Sequence, residues 1–268
     1  MIAVVAVACG AGVPGVASAS PLDPGGVIKI VKRAREAFNA NQSGNWFGYG
    51  EGSLERGGKL FTSISATWKV PTARQHQRGA AADSATWLGI GGGCVDAGCL
   101  ITDSTLIQTG TEQDVAASGK AHYSAWWEIV PLPAMTISQM SVRAGDKMRA
   151  SIVQTLPEVW RITLSDLSRH QSFSTTVPYT SSYATAEWIE ETPITIGSGG
   201  AGLASLPRLS ETPFDNATVD GKPAALKPSE KIDLTNGSRV VGVPSSPDRT
   251  ADGFGACAWT TRCPVPHS

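Results

Sequence analysis

Ile64, Ala66, Trp68 and Val70 alternate with Ser63, Ser65, Thr67 and Lys69 and stop at Pro71, the pattern of a strand buried on one face. The same two-residue rhythm recurs at Thr86 to Ile90, Thr105 to Thr109, His122 to Val130, Lys147 to Val153, Trp160 to Leu164, Ala186 to Glu191 and Arg239 to Val243. Each run is bounded by Gly, Pro, Asp or Ser, and no helical run separates them. Many short strands with close turn signals imply an all-β protein, an antiparallel sandwich or barrel rather than a parallel α/β sheet. Gly 29 and Pro 17 in 268 residues suit that many turns.

Composition narrows the class further. The chain carries 23 acidic and 22 basic residues, 41% hydrophobic and 17% charged. The charged share is below the usual value of about 25%, which argues against disorder and against a basic nucleic-acid-binding surface.

The N-terminus has a different character. An apolar run from Ile2 to Ala8 and the small-x-small site Ala17-Ser18-Ala19 read as a signal peptide over 1–19, with secretion as the consequence. Gly10, Gly12, Pro14 and Gly15 argue against a membrane span, which needs about 20 apolar residues. The lipoprotein reading of Cys9 is weaker, because Ala6 stands where Leu is wanted. No basic residue precedes Lys29, which places the expected start upstream of Met1. Next, Val27, Ile30, Val31, Ala34 and Phe38 repeat at helical spacing, so an amphipathic helix is expected over Val27 to Phe38, followed by a polar linker from Asn39 to Gly44. This 20–44 segment reads either as a pro-segment whose basic face covers an acidic cleft or as a surface helix. The folded domain is expected over 45–268.

Cys94 with Cys99 and Cys257 with Cys263 read as two local disulfides of a secreted protein. Their C-x4-C and C-x5-C spacings are looser than structural zinc sites favour, so no metal is expected. Gly197 to Gly202 matches G-x-G-x-x-G literally, yet no helix follows, and the stretch reads as a flexible loop. There is no G-x-S-x-G elbow, no H-E-x-x-H around His76, His122, His170 or His267, and no Asp-Thr-Gly or Asp-Ser-Gly. A dispersed Ser/His/Asp triad stays open without any residue pointing to it.

Four segments in order remain distinctive: Trp87-Leu88-Gly89-Ile90-Gly91-Gly92, Leu106-Ile107-Gln108-Thr109-Gly110, Tyr123-Ser124-Ala125-Trp126-Trp127-Glu128, and Ala186-Glu187-Trp188-Ile189-Glu190-Glu191-Thr192-Pro193. Together, and with Asn45-Trp46 ahead of them, they resemble the G1 peptidases, the eqolisins or glutamic endopeptidases. The resemblance covers Asn45 to Pro193 well and the remainder loosely. It implies a sandwich of two large antiparallel sheets, similar to concanavalin-type lectins and glucanases, with a cleft on one face. It also implies acid proteolysis by a Gln and Glu pair, mapped to Gln108 and Glu191, with no cofactor. Trp46, Trp87, Trp126 and Glu128 would line the cleft, with Tyr123 and Glu187 in support. Polypeptides are then the expected partners of a secreted monomer, with neither nucleic acid nor membrane.

The residue chemistry suits that mapping. Alternation puts Glu187, Ile189 and Glu191 on one strand face and Ala186, Trp188 and Glu190 on the other. A carboxylate such as Glu191 can take a proton from attacking water and return it to the leaving amine, while an amide such as Gln108 can donate to a developing oxyanion. Two carboxyls on one face, Glu187 and Glu191, would raise each other's pKa by repulsion and burial. The bland readings are a cross-strand Gln, surface Glu residues and core Trp residues. Where fungal members often carry Asp, this chain has Gly91 and Ser124, which leaves pH optimum and specificity open. The tail around Cys257 and Cys263 has no placed counterpart. The alternative is a lectin-like carbohydrate-binding module or glucanase on the same sandwich. Gln108 discriminates, because a glycosidase needs two carboxyls at the reacting centre. The sequons at Asn41, Asn216 and Asn236 matter only in a glycosylating host.

Overall fold

The computed structural model describes residues 27–31, 35–39, 41–197 and 200–266. The expected signal peptide and His267 lie outside them. Eight strands concern the site and are numbered in chain order: β1 Val27–Val31, β2 Trp46–Gly52, β3 Ala82–Gly91, β4 Leu106–Val115, β5 Ala121–Val130, β6 Thr185–Glu191, β7 Ile194–Gly197 and β8 Gly200–Leu203.

Two large sheets carry the fold. The first runs Met135–Thr136, β5, β4, β3, β6, β2 and Lys231–Asn236, antiparallel throughout. The second runs Gln171–Pro178, Val159–Asp166, Lys147–Leu156, Ser63–Lys69, Thr212–Val219, Phe254–Ala258 and Arg239–Pro244. Lys231–Asn236 pairs with both, so the sheets are joined along that edge. Every strand expected from alternation is found.

Between the sheets lies one large core that includes Phe47, Tyr49, Trp68, Leu88, Trp160 and Trp188. Such rings remove roughly 150–250 Å² each from water, about 4–6 kcal/mol in transfer terms before entropy is charged. The first sheet is covered on its other face as well, where Trp46, Trp87, Leu106, Trp126, Ile189 and Ile232 form a second cluster. All seven residues of β6 are buried in consequence.

Cys94–Cys99 and Cys257–Cys263 are disulfides, as the spacing implied. Three expectations are corrected. The segment read as a helix over Val27 to Phe38 contains two strands instead, β1 and Ala37–Asn39, while 32–34 lie outside the described residues. Its helical spacing is overridden because β1 finds a partner edge in β7. The polar linker after it is also part of the body: Gln42–Ser43 pairs in parallel with Asp233–Leu234, and Ser43 and Asn45 are buried. The Gly-rich stretch 197–202, expected as a flexible loop, supplies the ends of β7 and β8, which pair as a hairpin. Its 198–199 tip lies outside the described residues.

Candidate active site

Strand register arranges one face of the first sheet into rows. Gly50, Glu187, Gly89, Gln108 and Glu128 lie side by side across β2, β6, β3, β4 and β5. The next row is Gly48, Ile189, Trp87, Gly110 and Trp126, and the next Trp46, Glu191, Ala85, Glu112 and Ser124. Alternation alone accounts for this, since residues two apart share a face. Gln108 and Glu191, 83 positions apart in sequence, thus meet on one surface with Trp87 on the diagonal between them.

Glycines make room for that indole. A Cβ on Gly110 would come 2.1 Å from the Thr86 carbonyl oxygen and 2.6 Å from the Trp87 Cβ. One on Gly89 would sit 3.1 Å from Trp87 Cζ3. With both positions bare, Trp87 donates its Nε1–H to Glu191 Oε2 at 2.9 Å, and Trp46 packs edge-on against it with ring centroids 4.8 Å apart.

Gln108 is fully buried, and its Nε2 donates to Glu128 Oε2 at 2.9 Å. That bond fixes which way the amide faces. Among the described residues the Gln108 Oε1 has no hydrogen-bond partner, nor has the buried Trp46 Nε1–H. A buried polar atom without a partner costs about 1–3 kcal/mol, so these open valences are places for a water or a substrate group.

The carboxylates differ by environment. Glu187 is fully buried in the Gln108 row, and neither of its oxygens has a partner at hydrogen-bonding geometry among the described residues. Burial holds its pKa well above the ordinary value; Asp103 and Glu51 add to the rise, while Thr185 and the Arg35 guanidinium oppose it. It is therefore neutral under acid conditions. Of the two causes expected from the residue chemistry, repulsion and burial, burial comes first, and the carboxylates that add to it are Asp103 and Glu51. Glu190 turns to the opposite face, into the core, where Thr86 Oγ1 donates to it at 2.6 Å and Thr212 Oγ1 at 3.3 Å. Burial pushes its pKa up to about 7 against those hydrogen bonds.

Of the supporting residues mapped from the resemblance, Trp46, Trp87, Trp126, Glu128 and Glu187 share the face of Gln108. Tyr123 does not. It stands opposite Gln113, on the core side, and its hydroxyl accepts the Ala73 N–H at 3.1 Å. One residue of the face was missed: Glu112, in the Glu191 row and accepting from Ser124 Oγ at 3.4 Å. Counting by twos from Gln108 would have found it. Arg35 borders the same region, its N–H donating to the Gly92 carbonyl at 3.0 Å and its Nη1 reaching Cys94 Sγ at 3.0 Å.

Among solved structures the chain is similar to scytalido-glutamic peptidase bound to a transition-state analogue inhibitor, at 22% identity and a TM-score of 0.63, covering 80% of this chain and 98% of that one. An eqolisin in complex with the tripeptide Ala-Ile-His matches at 21% identity and a TM-score of 0.55 over 80% and 98% of the two chains. Aspergilloglutamic peptidase from Aspergillus niger matches at 22% and 0.53 over 66% and 99%. These likenesses establish the fold. No curated protein matches significantly. The family model described as Peptidase A4 family matches residues 44–248. With most of the chain inside that match, the protein is a peptidase belonging to the Peptidase A4 family.

Proposed function

We propose that this peptidase is a secreted acid endopeptidase in which Glu191 and Gln108 act on a water and the scissile carbonyl. Glu191 takes a proton from the water as its oxygen bonds to the carbonyl carbon. The free N–H of Gln108 donates to the oxyanion that forms, its other N–H being held by Glu128. Glu191 then passes the proton to the amide nitrogen, the C–N bond breaks, and a carboxylic acid and an amine leave. A neutral Glu187 beside Gln108 keeps a second negative charge away from the oxyanion at acid pH.

The observation that carries this reading is the placement of the two groups across the Trp87 diagonal of one sheet face. Two strand spacings and four residues along the chain put their Cα atoms about 16 Å apart on a flat grid. The amide at 108 also favours a peptidase over a glycosidase, which would need a carboxyl there.

The test is cleavage of unfolded casein or haemoglobin at acid pH, with pepstatin and a chelator present. The wild type cleaves; Glu191→Gln is inactive, and Gln108→Ala falls about 100- to 1,000-fold in kcat, the usual effect of losing one oxyanion donor. Undiminished cleavage by Glu191→Gln would sink the assignment. Glycan binding without cleavage by any form would favour the lectin reading. The leader ahead of about Asn45 is proposed to be a pro-segment, which N-terminal sequencing of acid-treated protein would reveal. Because Gln42–Ser43 belongs to a sheet, we place the cut before Gln42.

A further inference from the structure

The hairpin that follows the general base has an edge already in use. β7 begins three residues after Glu191, and its base is tied down: Thr192 N–H donates to the Asn45 carbonyl, and Ala204 N–H to that of Pro193, both at 2.8 Å. One side of β7 pairs with β8. The other takes the leader strand β1 antiparallel, with Val31 opposite Ile194, Ile30 opposite Thr195 and Lys29 opposite Ile196. Leaving β1, the leader is next anchored at Arg35, on Gly92 just past the far end of β3. The strand on β7 runs antiparallel to it, so its C-terminal end, Val31, lies opposite Ile194, at the end of β7 nearest Glu191.

From this geometry, and resting on the reading of Glu191 and Gln108 above, we infer that the edge of β7 that β1 occupies is the main-chain docking strand for the substrate. A polypeptide adds there as an antiparallel strand in the place β1 holds, with the residues N-terminal to the scissile bond on β7. Main-chain N–H and C=O groups supply this contact, so it is indifferent to side chains and demands an extended substrate. Direction and length follow from the register. Ile194 is three residues from Glu191, so pairing along Ile194–Gly197 engages about the fourth to seventh residues before the cleaved bond, at one strand residue per partner.

The experiment uses the full-length protein after acid incubation and a peptide series with one cleavage site and N-terminal extensions of increasing length. kcat/KM rises until about seven residues precede the bond and then levels. N-methylation of successive residues in the extension costs about threefold to tenfold at every second position and little between, because alternate N–H groups of a strand face its partner. A flat length dependence, or equal effects at neighbouring positions, overturns the inference while leaving the catalytic assignment standing. Failure to cleave any peptide removes both. A readout without turnover uses full-length Glu191→Gln carrying Ile30→Pro, which takes one N–H out of β1. Amide exchange over Ile194–Gly197 should be faster than in Glu191→Gln alone and should slow again when the peptide Val-Ile-Lys-Ile-Val is added. Unchanged exchange in both conditions overturns the inference as well.

Discussion

Glu190 offers a test of how this fold is matched to acid. It is fully buried, its partners are hydroxyls rather than cations, and its pKa stands at about 7 against 4.5 for an ordinary Glu. The folded protein therefore holds this proton over a pH range where the unfolded chain has released it. Stability from this group is fully present below about pH 4.5 and is lost as pH rises through 7. A difference of about 2.5 pH units at 1.36 kcal/mol each gives about 3 kcal/mol between pH 4 and pH 8. For a body of this size that is roughly 6–12 °C in Tm. The assay is urea or thermal unfolding at stepped pH in a Glu191→Gln background, which prevents self-digestion, with and without Glu190→Gln. The amide keeps an acceptor for Thr86 and cannot ionise. The expected result is equal stability at pH 4 and a variant about 3 kcal/mol more stable than its parent at pH 8. Parallel pH profiles for the two proteins would refute the reasoning.

Trp87→Phe keeps the ring stack but removes the Nε1–H donor to Glu191. It should lower kcat/KM about 10- to 100-fold and move the acidic limb of the pH–rate profile to higher pH, since a donor to a carboxylate favours its ionised form. An unchanged profile would mean that the contact does not tune the base. Gly110→Ala places a methyl 2.1 Å from backbone, so a loss of about 1–3 kcal/mol or more in chemical unfolding is expected, together with loss of activity through Trp87. Gly202→Ala, with no described atom within 4 Å of the added one, is the comparison and should stay within about 0.5 kcal/mol of wild type.

The sheets were legible because alternation is a local signal with a physical cause. A half-buried strand such as Ser63–Lys69 must alternate, and so must the faces of β6. The strands Gln171–Pro178, Thr212–Val219 and Phe254–Ala258 escaped because their patterns are broken: the first is mostly Ser, Thr and Val with no fully buried position, the second is bulged between Asp215 and Thr218, and the third is nearly all small residues. β1 was misread for a different reason. Its spacing is helical over a dozen residues, and only the edge of β7, more than 160 residues downstream, decides the matter. The site divides the same way. Face-sharing among Glu187, Ile189 and Glu191 follows from counting by twos. That Gly89 and Gly110 clear a path for Trp87, and that Glu128 turns the Gln108 amide, depends on the register of β3, β4 and β5, which no local pattern contains.

The buried acids explain how such a chain can carry few charges and stay folded in acid. Proteins commonly unfold in acid because native carboxylates that are ionised and paired must be protonated. Three interior carboxyls, Glu51, Glu187 and Glu190, are instead pushed toward the protonated form. Glu51, with Arg56 only 3.5 Å away, is still pushed up to about 8, burial outweighing the cation and Glu230 adding to the rise. Glu187 and Glu190 are raised by burial first. Each is stable in the protonated form, so lowering the pH removes a strain instead of breaking a bond. The same desolvation that stabilises the fold in acid leaves Glu187 uncharged beside Gln108, where an oxyanion would form. Under the proposed mechanism one cause, desolvation, biases both stability and chemistry toward low pH, acting on stability through Glu51 and Glu190 on the core side of the sheet and on the chemistry through Glu187 on the other.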